Sequence, residues 1–243
     1  MHRKNNVENQ KTFQEYTGIK ELEMNEMFLK NYNNDIVKKI SSVRRGSNIE
    51  KILEFGAGLG TLATIYHNIF GIKPICIEID PILKKNLEER GFTVFSDITE
   101  TNHKFNLIYT SNVLEHIEED QLILNNLYEK LENGGVLSIY VPAFKFLYSH
   151  MDKKVGHIRR YTKKDLFTKL NISGYKIIKF NYCDTLGFFA WIYEKYNKKN
   201  VNCEQSSKKL KIFDRFIYPV SRILDEIGFK YLFGKNILII ARK

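Results

Sequence analysis

Between residues 51 and 141 short apolar runs rich in β-branched residues alternate with stretches of helical spacing. Residues 51–55 (KILEF) read as a strand, 59–70 as a helix and 74–79 (PICIEI) as the next strand. Residues 81–90 form a helix with proline in its first turn and Gly91 as its stop. Residues 92–95 and 105–110 (FNLIYT) are two further strands, and 118–131 is helical up to Asn133-Gly134-Gly135. Residues 136–141 (VLSIYV), closed by Pro142, are the fifth strand. Strands this apolar are buried on both faces. The pattern therefore predicts an α/β fold with a mostly parallel sheet and helices on both faces. Ligands of such open sheets bind beyond the carboxyl ends of the strands.

The flanks extend this pattern. Residues 19–41 carry apolar positions at helical spacing, and 1–45 read as an N-terminal helical cap. Residues 176–182 (KIIKFNY) and 236–241 (NILIIA) are two more strands, giving seven in all. Sequential strands are usually joined by only a few residues, so 183–235 is an insertion with structure of its own. Amphipathic patterns near 186–196 and 213–227 make it helical. No linker-like tract or internal repeat divides the chain, and 243 residues suffice for one well-buried core, so 1–243 is a single domain.

The segment Glu54-Phe55-Gly56-Ala57-Gly58-Leu59-Gly60 follows a strand and opens a helix. Glycines there let the backbone turn sharply and approach a ligand closely. A dinucleotide loop, G-x-G-x-x-G, would place its third glycine where Thr61 stands; here it comes one residue early, at Gly60. Glu54 would also repel a pyrophosphate, whereas it suits the positive amino group and sulfonium of S-adenosylmethionine (SAM).

The run ILEFGAGLGT resembles the first motif of class I SAM-dependent methyltransferases, and further positions match in order. Glu78, 18 residues after Gly60, stands where that family places a carboxylate gripping both ribose hydroxyls, followed by Ile79, Asp80 and Pro81. Asp97 and Ile98 stand where the family contacts the adenine amino group. Ser111-Asn112-Val113-Leu114-Glu115-His116-Ile117 resembles the "LEH" segment of small-molecule and lipid-precursor methyltransferases. The resemblance implies a Rossmann-like sandwich with SAM as cofactor and S-adenosylhomocysteine (SAH) as product. It implies cofactor contacts from Glu54, Gly56, Ala57, Gly58, Gly60, Glu78, Ile79, Asp97, Ile98 and Asn112.

Methyl transfer needs an aligned acceptor, exclusion of water and, for a hydroxyl acceptor, removal of a proton. Histidine, with its near-neutral pKa, is the usual base. Residues 141–166 resemble a subgroup with a Pro-Ala…Asp…Gly-His-x-Arg-Arg-Tyr signature, often linked to cell-envelope sugar or polyprenyl metabolism. That resemblance implies catalytic roles for His116, His157 and Tyr161 and acceptor contacts from His150, Asp152, Arg159 and Arg160. Plainer roles stay open: His157 can orient its own loop, and the arginines can begin a solvated helix rather than seat a phosphate or carboxylate. No His/Cys/Asp set has close ligand spacing, so no metal site is expected.

Charge divides unevenly. Residues 1–141 hold 16 Lys/Arg against 20 Asp/Glu (−4), and residues 142–243 hold 22 against 8 (+14). The basic half favours an anionic partner or only a solvated surface. A small-molecule acceptor, sugar-, phosphate- or lipid-linked, fits best. RNA or protein is the alternative acceptor, although no RNA-binding module or Asn/Asp-Pro-Pro-Tyr motif is visible; a non-catalytic SAM-binding regulator is the third reading. In the insertion, Phe188, Phe189, Trp191, Ile192 and Tyr193 precede Lys195, Lys198 and Lys199, and the stripe Phe213, Phe216, Ile217, Val220, Ile223 and Leu224 lies beside Arg215 and Arg222. These can pack as core or rest on an anionic membrane surface. Cys76, Cys183 and Cys203 are widely spaced and no secretory signal is visible, so reduced thiols in a cytoplasmic protein are expected. No apolar run reaches the ~18–20 residues that cross a bilayer. Nothing in the sequence bears on oligomeric state.

Overall fold

A computed structural model describes residues 19–44, 50–196 and 203–243; Lys198, Lys199 and the side chain of Cys203 lie outside the described residues. The apolar runs form β1 (Ile52–Phe55), β2 (Ile75–Ile77), β3 (Val94–Phe95), β4 (Phe105–Ser111), β5 (Leu131–Pro142), β6 (Lys176–Cys183) and β7 (Asn236–Arg242). They make one sheet in the order β3-β2-β1-β4-β5-β7-β6. All pairs are parallel except those of β7, which runs antiparallel to both β5 and β6. The chain builds outward from β1 to β3 and then returns to place β4 on the other side of β1. That reversal opens a crevice at the carboxyl ends of β1 and β4.

Among the described residues the helices are α1 (Ile19–Phe28), α2 (Lys30–Ile40), α3 (Thr61–Phe70), α4 (Pro81–Glu89), α5 (Asp120–Lys130), α6 (His150–Lys154), α7 (Lys163–Ile172), α8 (Thr185–Tyr196), α9 (Cys203–Ile212) and α10 (Tyr218–Glu226). Alternation along β5 shows how they cover the sheet. Leu137, Ile139 and Val141 enter a core with Leu124 and Leu127 of α5 and Leu166 and Leu170 of α7. Val136 and Tyr140 enter the opposite core with Ile36, Val37 and Ile40 of α2, Tyr66 of α3 and Tyr218 of α10. The expected seven-stranded α/β sandwich is therefore present. One strand differs from expectation. β5 begins at Leu131, so the Asn133-Gly134-Gly135 turn is an irregular start to the strand, paired to β4 with a register shift between Phe105 and Leu107.

The insertion is helical and is fastened to the core by a buried carboxylate. Asp214, in a π-helical turn (Phe213–Ile217), accepts hydrogen bonds from the backbone N–H of Asn31 (3.0 Å) and Tyr32 (2.9 Å). These donors open α2, whose own N-cap, Leu29, makes no side-chain cap, so the cap comes from the far end of the chain. Within the insertion itself Asp225 caps α8, accepting from the N–H groups of Asp184 (3.0 Å) and Thr185 (3.1 Å) and from the Thr185 hydroxyl (2.6 Å). Among the described residues no helix is long and apolar enough to cross a membrane.

Candidate active site

The crevice is floored by the glycine loop between β1 and α3. Gly56, Gly58 and Gly60 all have positive φ (76°, 56° and 79°), which favours glycine at each. A Cβ on Gly56 would lie 2.4 Å from Val113 Cγ2, so only glycine lets the segment after β4 close against the loop. The N–H groups of Gly56 and Ala57 donate to the carbonyl of Ile77 (2.9 and 3.0 Å), tying the loop to the end of β2.

Two carboxylates bracket the loop. Glu78 accepts from the N–H of Gly58 (2.7 Å) through one oxygen and from the N–H of Asp80 (3.0 Å) through the other. Burial pushes its carboxyl above the ordinary range, opposed by those backbone donors. Glu54 lies deeper, 3% exposed, accepting from the Tyr109 hydroxyl at 2.9 Å. Burial raises its pKa to about 8, against the lowering effect of that hydroxyl. A narrow glycine cradle with one carboxylate behind it and one at its rim suits a ligand bearing a cationic amino group and a diol.

The other expected cofactor positions surround this floor unequally. Asp97 caps the short turn Ile98–Glu100, accepting from the N–H (2.8 Å) and hydroxyl (2.6 Å) of Thr99, and these bonds hold its pKa low. Ile98 is buried in the core, which leaves only its backbone for a ligand, whereas Ile79 is exposed. Asn112 is exposed at the end of β4 with φ 54°. Above the loop lies α1: a Cβ on Gly58 would meet Leu22 Cδ1 at 3.3 Å. Ion pairs from Glu26 to Arg90 (3.0 Å) and from Glu21 to Lys154 (3.4 Å) tie α1 down on both sides.

Beyond β4, His116 ends the short turn Leu114–His116, and His157 follows α6. Their rings meet edge to face with centroids 4.7 Å apart. His157 Nδ1 is 2.8 Å from Asp152 Oδ1, and His116 Nδ1 is 3.1 Å from the carbonyl of Gly156. Burial, with His157 nearby, lowers the His116 pKa to about 4. Asp152 is fully buried and also accepts from Arg160 Nε (2.9 Å) and the N–H of Ser149 (2.8 Å). Burial pushes its pKa up, but His157, Arg160 and Ser149 outweigh it and hold the carboxyl low.

The residues expected at the acceptor, Arg159, Arg160, His150 and the expected catalytic Tyr161, differ in how far they are enclosed. Arg160 is buried, bound to Asp152 and the carbonyl of Ala143 (3.2 Å), with Trp191 stacked on its guanidinium at 4.7 Å. Arg159 is paired with Asp120 (3.0 Å) and donates to the carbonyl of Glu118 (3.0 Å). Tyr161 is 1% exposed, its hydroxyl 2.7 Å from Asp120 Oδ2 and 3.0 Å from the Leu114 carbonyl. Arg160 and Tyr161 are thus enclosed in the wall, whereas Arg159 stays partly exposed beside Asp120. His150 is exposed at the start of α6. Residues distant in sequence also meet here: Glu115, His116 and His157 each present a ligand atom within 4.8 Å of the others. The pairing of His157 with Asp152 and the burial of Glu115 leave little trace in the sequence; the five-residue step from Asp152 to His157 is the one available signal.

A family model described as a methyltransferase domain matches residues 24–179. The chain belongs to that family. The methyltransferase has the α/β fold of SAM-dependent relatives and takes SAM as its cofactor. It is similar to a Galdieria sulphuraria protein assigned as a sarcosine dimethylglycine methyltransferase, with 16% identity, 86% of this chain and 84% of that chain covered, and a TM-score of 0.59. A SAM-dependent methyltransferase from Archaeoglobus fulgidus gives 20% identity, 86% and 94% coverage and a TM-score of 0.56. Phosphoethanolamine N-methyltransferase 2 of Haemonchus contortus, in complex with SAM, gives 15% identity, 88% and 56% coverage and a TM-score of 0.54. No curated protein matches the chain in sequence.

Proposed function

We propose that this methyltransferase moves a methyl group from SAM to an oxygen or nitrogen of a small-molecule acceptor held between the glycine loop and the His116–His157 pair. The observation that carries this reading is the placement of α1. Leu22 lies over the loop and two ion pairs hold α1 beside it, an arrangement that favours a small molecule over an RNA or a folded protein. SAM, when bound, supplies an electrophilic methyl carbon on a sulfonium leaving group. The chain's own part is placement. Glu78 serves the ribose, the backbone of Gly56 to Gly60 with Glu54 serves the amino-acid end, and Asp97, the Ile98 backbone and Asn112 serve the base side. Leu22 and Val113 exclude water, and Asp152 orients His157 toward the acceptor. Arg160 is engaged within the wall by Asp152, which takes one cation out of reach of an RNA backbone.

The test is SAH release across a panel of hydroxyl- and amine-bearing small molecules, including sugar phosphates and polyprenyl-linked compounds, beside bulk tRNA and basic proteins. Turnover confined to small molecules is the expected outcome. Turnover with RNA or protein alone, or SAM binding with no turnover at all, would overturn this reading in favour of a macromolecular acceptor or a regulatory role.

A peripheral membrane contact belongs to the same proposal. Phe189, Tyr193 and Tyr196 of α8 are exposed at helical spacing, as are Phe216, Val220, Ile223 and Ile227 on the neighbouring insertion helix. With the lysines around them they suit a cytoplasmic protein resting on an anionic bilayer. Liposome flotation is expected to recover the protein with vesicles containing anionic phosphatidylserine and not with neutral phosphatidylcholine; equal absence from both would remove the membrane contact.

A further inference from the structure

Among the described residues Glu115 stands out as a buried carboxylate with both oxygens unpartnered. It is 0% exposed, and neither carboxylate oxygen has a hydrogen-bond partner in another residue among those described. Buried carboxylates are ordinarily satisfied by donors or by a cation, and an orphan of this kind asks what is missing. Arg160 does not answer, because its guanidinium is bound to Asp152 and reaches Glu115 only through space.

The surroundings of Glu115 have the composition of a metal centre. His157 Nε2 lies 3.7 Å from Glu115 Oε1, and one ligand atom each from Glu115, His116 and His157 falls within 4.8 Å of the other two. Ligands about 2.0–2.1 Å from a tetrahedral ion stand roughly 3.3 Å apart, so the Glu115–His157 pair is already near that separation. The outer shell is in place as well. His157 has its Nδ1 against the carboxylate of Asp152, and His116 has its Nδ1 against the carbonyl of Gly156. Carboxylate and carbonyl partners of this sort fix ring orientation and raise the basicity of the ligating nitrogen. Both histidines are only partly buried, so a coordination position faces the crevice.

We propose that Glu115, His116 and His157 bind one divalent transition-metal ion of the zinc type at the acceptor side of the crevice. Two imidazoles and one carboxylate select such an ion over Mg²⁺ or Ca²⁺, which take oxygen-rich sets. The ion neutralises Glu115 and leaves an open position at which an acceptor hydroxyl or amine is held. Binding of the ion stands on the geometry alone; its service to the acceptor rests on the methyl-transfer reading above.

The experiment is a titration of tag-free, chelator-stripped protein with Co²⁺ in the absence of SAM and acceptor, read by visible d–d absorption and by bound-metal analysis. One equivalent should bind, be displaced by Zn²⁺, and bind at least tenfold more weakly in Glu115→Gln and in His157→Gln. His103→Gln, at an exposed histidine outside the set, should bind as the parent does. Glu115→Gln keeps the shape of a side chain already lacking partners, and thermal melting of each variant confirms that it is folded. Absence of a bound equivalent, or equal affinity in Glu115→Gln, overturns the site. Since neither SAM nor acceptor is present, that failure leaves the methyl-transfer reading untouched, and a failed acceptor panel leaves the metal result untouched.

Discussion

Glu78→Ala is expected to weaken SAM binding about 100-fold in a calorimetric titration, with Glu78→Gln intermediate. Two ribose hydroxyls donating to one carboxylate make charge-assisted bonds of about 1.5–3 kcal/mol each, partly offset by the water they replace. A net loss of about 2.7 kcal/mol corresponds to that factor. The side chain also holds the loop, through Gly58 at 2.7 Å and Asp80 at 3.0 Å, so its removal frees the rim as well as the diol contact. NAD, which the early third glycine disfavours, is the comparison ligand. Unchanged SAM affinity in Glu78→Ala, with the fold intact, would falsify the assignment of this rim to the ribose.

Glu54→Gln should have opposite effects on stability and on cofactor affinity. The Glu54 carboxyl has a folded-state pKa of about 8, raised from 4.5 by burial. Its contribution to stability is therefore complete below about pH 4.5 and is lost as pH rises through 8, because only the unfolded chain releases the proton easily. Glutamine cannot ionise. Urea unfolding of the cofactor-free protein should show the two forms nearly equal at pH 5 and the variant more stable at pH 9, by on the order of 3 kcal/mol. The variant should also bind SAM more weakly, since the charge that burdens the empty protein is the one that meets the cationic amino group. A stability difference that does not change with pH would show that Glu54 is already ionised and satisfied in the fold.

The sheet was legible because β-branched runs and glycine stops recur at regular spacing, and the glycine loop because positive φ admits few other residues. Glu54 and Glu78 were legible from their places beside that loop. The acceptor side was harder. Arg159, Arg160 and Tyr161 look like a ligand-binding run, yet their carboxylate partners, Asp120 and Asp152, stand elsewhere in the chain. Paired charges can be buried where single ones cannot, and a one-dimensional pattern does not reveal the pairing. Glu115 was overlooked for the converse reason. An acid beside a histidine at a strand end looks solvated, and only packing shows that both its oxygens are enclosed. The insertion's helices were visible as apolar stripes, but α6 is too short to leave a periodic signal, and the capping roles of Asp214 and Asp225 depend on helices elsewhere in the chain.

Those capping aspartates also set the order in which the chain can mature. Asp214 serves Asn31 across a separation of 183 residues. At roughly 5–20 residues per second of synthesis, α2 waits about 10–40 s for its cap. Contacts so distant raise contact order and delay the final step of folding. The strands and loop of the cofactor crevice are thus synthesised before the aspartate that caps α2.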